Sequence, residues 1–320
     1  MLKLRFVRAA LSVAIILPCL ASPRLSSAAT EVKLEDILAG HLASIGDAAT
    51  RAAAKSRVFE GTTQFKVVAG GAGKSTDGQT VIVSEEHKVQ LMMKFPNSNY
   101  HGERIICDGN KVGVATATDA QNRSNFGTFV YIQDIILRDG LLGGELSTAW
   151  PLLDIDQRKP KLSYEGLKTI DGKQLYEVRY KPKKGQDVEI RLYFEPESFH
   201  HVLTVYTLSI RAQLGKGGEV NSLAVPELSS GGQVDRPTMA IQGTVSADAA
   251  QASNQQETRY RVEERFSEFK TADGLTLPNH YTIHFTQELQ GGKTTVLDWD
   301  TSATRIIENI SVDAKNFQVK

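Results

Sequence analysis

Three groups of residues have types and spacings that chemistry uses. Gly71-Ala72-Gly73-Lys74-Ser75-Thr76 imitates a phosphate loop, in which backbone N–H groups cradle phosphates and a lysine reaches them. That pattern requires a glycine five positions before Gly73, where Val68 stands, and a helix afterwards, where residues 81–83 alternate as a strand. The stretch reads as a hairpin loop. His280 and His284 are four apart, a spacing that holds zinc on a helix. Their surroundings alternate as a strand, which puts them on one face about 13 Å apart at ~3.3 Å per residue. His200 and His201 point to opposite faces. The acidic pairs Glu85-Glu86 and Glu263-Glu264 also split across a strand, which suits surface charge better than acid–base catalysis by convergent groups. No serine lies in a nucleophile elbow. Cys107, in Arg104-Ile105-Ile106-Cys107, reads as a small buried apolar residue of a strand. The expectation is a protein without catalytic residues, metal or cofactor.

The elements that position these residues are mostly strands. One helix is predicted over 34–45, where Leu34, Ile37, Leu38, Leu42 and Ile45 recur at helical spacing and Gly46 suits a C-cap. Asp47 is a candidate N-cap for a second helical stretch over 47–56. From Val58 the period becomes two, with Phe59, Phe65 and Val67 on one face of a strand pair. Val81, Val83, Val89, Leu91, Met93 and Phe95 are then expected on one face, opposite Ser84, Glu86, Lys88, Gln90 and Lys94. Strands follow at 100–107 and 111–116 around the turn Asp108-Gly109. Residues 129–153 break the alternation, with Ile132, Ile135, Ile136, Leu141 and Leu142 in short helices interrupted by Gly140, Gly143 and Gly144. A meander resumes through Tyr176, Val178 and Tyr180, then Val188 to Phe194, then Val202 to Ile210, with turns at Asp171-Gly172 and 183–185. Strands at 260–269, 277–289 and 294–304 complete a total of about ten. A wide amphipathic sheet with so few helices must curve to cover its apolar face. The expected fold is mainly β with helices (α+β): a strongly curved antiparallel sheet forming an incomplete barrel closed by helices.

Composition is that of an ordinary globular protein: 320 residues, 41% hydrophobic and 23% charged. The 37 basic and 37 acidic residues balance, which argues against a nucleic-acid binder. Residues 1–29 hold Lys3, Arg5, Arg8 and Arg24 and no acid. Their basic, apolar and small-residue order reads as a secretory signal peptide, with Pro18 interrupting an apolar run too short to span a bilayer. Cleavage leaves Cys107 as the sole cysteine of a single domain over 30–320. Residues 213–256 contain six glycines and no aromatic residue, and read as a flexible insertion.

The order of these features resembles the LolA and LolB superfamily of periplasmic lipoprotein carriers and receptors, which also includes RseB and LppX. The resemblance rests on four features: the signal peptide and helix followed by Val58-Phe59-Glu60-Gly61; the hairpin Cys107-Asp108-Gly109-Asn110-Lys111; the meander from Tyr176-Glu177-Val178-Arg179-Tyr180 to Arg191-Leu192-Tyr193-Phe194; and Phe266-Ser267-Glu268-Phe269-Lys270 with Asp273-Gly274-Leu275-Thr276-Leu277-Pro278, Glu308-Asn309-Ile310 and Phe317. It implies an outer-membrane lipoprotein-sorting type of protein, a periplasmic chaperone that takes acyl chains of lipoproteins or other lipids into a hydrophobic cavity.

Candidate cavity residues are Phe65, Leu91, Met93, Tyr176, Val178, Leu192, Phe194, Ile283 and Phe285. Ile132, Ile135, Ile136, Leu141 and Leu142 are the candidate lid. Partners would be acyl chains and a membrane-bound donor or acceptor protein, with no nucleic acid, and the protein a monomer. The alternatives are an RseB-like sensory or scaffold domain that binds a partner protein, and a hydrolase.

Overall fold

The computed structural model describes residues 32–71, 75–96, 99–119, 122–183, 187–210 and 257–319. The signal segment 1–29, Cys19 and the insertion 213–256 lie outside the described residues, as do parts of the phosphate-loop mimic and of the turn at 183–185.

Helix α1 spans Leu34–Ile45 and α2 spans Ala48–Ala53. Asp47 caps α2, its carboxylate accepting from the Thr50 backbone N–H at 2.9 Å. Twelve strands follow: β1 Ser56–Ala69, β2 Ser75–Glu85, β3 Lys88–Lys94, β4 Glu103–Cys107, β5 Val112–Thr116, β6 Lys161–Ile170, β7 Lys173–Lys181, β8 Glu189–Phe194, β9 His201–Ile210, β10 Thr258–Ala272, β11 Leu275–Leu289 and β12 Thr294–Glu308. They form one antiparallel sheet in the order β5-β4-β3-β2-β1-β12-β11-β10-β9-β8-β7-β6. The chain ends, β1 and β12, pair at its centre, and the edges β5 and β6 do not meet. Between β5 and β6 comes the helical insert: α3 Asn125–Ile132, α4 Ile135–Arg138, 3₁₀ turns at Gly144–Leu146 and Pro151–Asp154, and α5 Ile155–Arg158.

The register puts one apolar set on one face. Phe65 pairs with Trp299, Trp299 with Ile283, Ile283 with Glu264, Glu264 with Thr204, Thr204 with Leu192 and Leu192 with Val178. The insert lies against this face. Gly143 donates its N–H to Glu264 on β10 at 2.7 Å, and a Cβ built on it would lie 3.4 Å from Ile82 on β2. β2 and β10 are four strands apart, about 19 Å in a flat sheet. One residue touches both because the sheet curls around the insert. The expected incomplete barrel closed by helices is the fold observed.

Several expectations are corrected. Residues 58–67 belong to one 14-residue strand, β1, and not to a strand pair. The register shifts after Glu60 against β12, and the strand runs on through the irregularity. Val81 and Val83 do not share a face with Val89, Leu91 and Met93. Ile82 pairs with Leu91 and Ser84 with Val89, because the turn at Glu86 and His87 changes the phase. Val83 packs instead with Val58 and Phe317 on the outer face, beneath Ile310 and Val312. β6 was not expected at all, since its apolar residues do not alternate cleanly across Gly166. The helical stretch over 47–56 is shorter, ending at Ala53.

Candidate functional site

All nine candidate cavity residues are buried on the concave face. Met93 joins them through Thr80 and Gly61, and Phe285 through Leu297. Aromatic rings pack the space between them: Phe65 to Tyr100 at 4.2 Å, Phe65 to Trp299 at 5.4 Å and Phe285 to Phe126 of α3 at 5.9 Å between centroids. The same side chains form the core between the sheet and the insert. At the β6 edge the row runs out to solvent, where Leu167, paired with Tyr176, is 52% exposed. A separate surface concavity of about 540 Å³ lies between α1 and α2, lined by Ala39, Leu42, Ala43, Gly46, Asp47, Ala48 and Arg51. It touches none of the nine.

The candidate lid residues lie in the insert. Ile135, Ile136, Leu141 and Leu142 are buried against the sheet and Ile132 is half-buried. Phe126 packs on Trp299 at 5.0 Å and Phe129 on Tyr260 at 5.6 Å. Glycine sets the path of the chain. Gly140 has φ +70° and Gly144 φ +51°; a Cβ on Gly140 would meet the Ala149 carbonyl oxygen and one on Gly144 the Phe266 ring.

Polar side chains tie the helical insert to the sheet, and sequence reasoning missed most of them. Arg57, buried on β1, donates to the Glu145 carbonyl oxygen and pairs with Glu308 at 2.5 Å. Glu264 accepts from Gly143 N–H, from Tyr206 Oη at 2.6 Å and from Tyr281 Oη at 2.5 Å. It is therefore not surface charge, as its neighbour Glu263 is; burial pushes it up to about 7 against those three donors. Glu103 on β4 accepts from Ser124, the N-cap of α3, and from Tyr100 Oη at 3.1 Å, and burial raises it to about 7. Tyr180 Oη donates to Asp139 at 2.8 Å. Ser84 Oγ accepts from Thr148 N–H at 2.9 Å.

A histidine–tryptophan chain joins the lid to α1. Trp150 Nε1–H donates to His41 Nε2 at 3.0 Å, and His41 Nδ1 faces the Phe199 carbonyl at 3.3 Å. These bonds fix a neutral imidazole, and burial lowers His41 to about 3. His201 stacks on Trp150 at 4.7 Å, while His200 stacks on Phe269 at 4.0 Å on the other side, so the two do face oppositely. The readable signal was His41 itself, which completes the buried stripe Ile37, His41, Ile45.

On the outer face His280 and His284 each bond an aspartate of β12: His280 Nε2 to Asp300 at 2.8 Å, and His284 Nδ1 to Asp298 at 2.5 Å. Ser267 Oγ lies 3.0 Å from His280 Nδ1. A serine, histidine and aspartate in series resemble a nucleophile triad. Here Asp300 is 56% exposed, water competes for each bond, and the chain stands on the face opposite the lid. Among the described residues no group of three or more His, Cys, Asp or Glu side chains is placed to hold a metal ion. β2 begins at Ser75, so a strand and not a helix follows the phosphate-loop mimic. Cys107 is buried on the concave face at the end of β4, the strand against which α4 packs, and burial raises its thiol.

No family model matches the chain, and no curated protein does. Solved structures do. A putative outer membrane lipoprotein-sorting protein domain from Vibrio parahaemolyticus is 8% identical, with 88% of this chain and 94% of that chain covered and a TM-score of 0.39. A DUF1329 family protein from Desulfovibrio piger is 10% identical over 89% and 96%, with a TM-score of 0.40. A LolA superfamily protein from Nitrosomonas europaea is 11% identical over 90% and 98%, with a TM-score of 0.39. Likeness at this level says nothing of cargo, and the functional reading rests on the chain's own geometry.

Proposed function

We propose that this protein is a periplasmic lipid carrier that shelters acyl chains of lipoproteins or other lipids between the curved sheet and the helical insert, without covalent chemistry. The observation that carries the reading is the lid. An apolar insert covers an apolar concave face and is fastened to it through a handful of polar ties, with glycines at its bends. Buried polar groups contribute modestly even when satisfied, so a few such ties fix where the insert sits more than they hold it down. An acyl chain displacing Ile135, Ile136, Leu141 and Leu142 from the face would gain about 0.8 kcal/mol per buried methylene. The β6 edge, where Leu167 is exposed, offers the way in. Among the described residues no helix is long and apolar enough to cross a membrane. The export signal and the donor and acceptor proteins belong to this proposal.

The test is purification from the native host followed by mass spectrometry of extracted lipid. The reading predicts lipid at near one mole per mole of protein. A lipid-free protein isolated with a stoichiometric protein partner would replace it with the sensory reading.

A further inference from the structure

Several side chains of the insert keep a buried polar atom without a hydrogen-bond partner, Gln133, Asp154 and Arg158 among them, but only in Glu145 are both carboxyl oxygens left so. Glu145 lies in the 3₁₀ turn Gly144–Leu146, is 1% exposed, and neither carboxyl oxygen has a hydrogen-bond partner. The groups nearest it bond elsewhere, although the His201 Nδ1 of the same cluster has no partner either. His41 Nε2 of α1 stands 3.9 Å away, but its lone pair receives the Trp150 indole N–H. Arg57 of β1 spends its guanidinium on the Glu145 carbonyl and on Glu308 of β12. His201 of β9 is neutral in the same cluster, its Nε2 bonded to Thr204. A carboxyl group there is tolerated as the neutral acid. As a carboxylate it is a buried charge with no hydrogen-bond donor, offset only by the nearby Arg57, and a protein relieves such a charge by bringing it to water. The turn that carries it is flanked by Gly143 at φ +83° and includes Gly144 at φ +51°, and Gly143 N–H bonds Glu264 of the sheet.

We infer that Glu145 is a proton-operated catch that keeps the lid shut while protonated and releases it on ionisation. The inference rests on the carrier reading for its purpose, as regulation of that site, but not for its physics. Burial holds the Glu145 carboxyl at about 8 in the closed state, against the pull of Arg57. In the open state it returns to the ordinary carboxylate range near 4.3. A closed-state value above the open one means that closure is fully supported below about pH 4.3 and weakens as pH climbs to about 8. Acid shuts the lid and neutral to alkaline pH loosens it.

Cys107 reports opening, since it is buried at the end of β4, the strand against which α4 packs. The experiment measures alkylation of Cys107 by iodoacetamide in lipid-free protein from pH 5.5 to 8, with rates divided by those of the urea-unfolded chain at each pH. Peptide-resolved mass spectrometry separates Cys107 from Cys19. The wild type should gain on the order of a hundredfold or more in corrected rate, and Glu145→Gln, neutral and nearly isosteric, should gain at least tenfold less, its remaining slope coming from Glu103 and Glu264, which burial also raises to about 7. Hydrogen exchange, corrected for its intrinsic pH dependence, should rise in residues 125–158 and stay unchanged in β11 and β12. Equal pH slopes in the two proteins, a flat wild type, or exchange rising equally in the sheet would each overturn the catch. No lipid enters the assay, so the carrier reading can fail without it, and it can fail without the carrier reading.

Discussion

Residues on the concave face were legible in the sequence where apolar side chains alternate. Val178, Leu192, Phe194, Ile283 and Phe285 sit where period two puts them. Polar members of the same face were not legible, because what makes them tolerable comes from distant elements. Arg57 is met by Glu145 and Glu308, and Glu264 by tyrosines from β9 and β11 and by the lid. No local pattern announces such partners. His41 leaves a measurable trace of its own. Its value in the folded protein, about 3, lies below the unfolded value near 6.5. Its contribution is therefore complete above pH 6.5 and is lost as pH falls toward 3. His41→Gln keeps an acceptor for Trp150 and removes the titration. Between pH 6.5 and 5 the wild type should lose about 2 kcal/mol more stability than the variant, read from urea midpoints at each pH. Equal losses would show that His41 is not held neutral.

Among elements, α1 was read to its ends because its stripe, Gly46 and Asp47 are all local signals. The lid was read as an interruption of the strands and is one. β6 and the phase change at Glu86 escaped, since register depends on the turn and on the neighbouring strand rather than on either strand alone. The lid's separateness can be tested at this scale with Ile136→Asp. Ile136 is buried, and an unpaired carboxylate in a rigid core would cost several kcal/mol. A lid that can lift should let the charge reach water. The variant should melt within a few degrees of the wild type yet lose most of its retention of a fluorescent fatty acid. Global unfolding, or unchanged retention in a folded variant, would make the insert a plain part of the core.

At the scale of the molecule, twelve antiparallel strands among the described residues, whose edges β5 and β6 do not pair with each other, curl around an insert that fills what a closed barrel would enclose. The curvature was foreseeable from the shortage of helices to cover so wide an apolar face. The filled state was not, because the same alternation describes a lined cavity and a packed core. The central claim is that acyl chains take the place of the lid on the concave face. Photocrosslinking with a diazirine-bearing fatty acid, with adducts mapped by peptide mass spectrometry, tests it most directly. The account predicts adducts on Phe65, Leu91, Met93, Leu192, Phe194 and Phe285 and on residues 132–142, removed by excess unlabelled fatty acid. Adducts confined to the outer face or to the α1–α2 concavity, or no labelling above an unrelated protein, would contradict it.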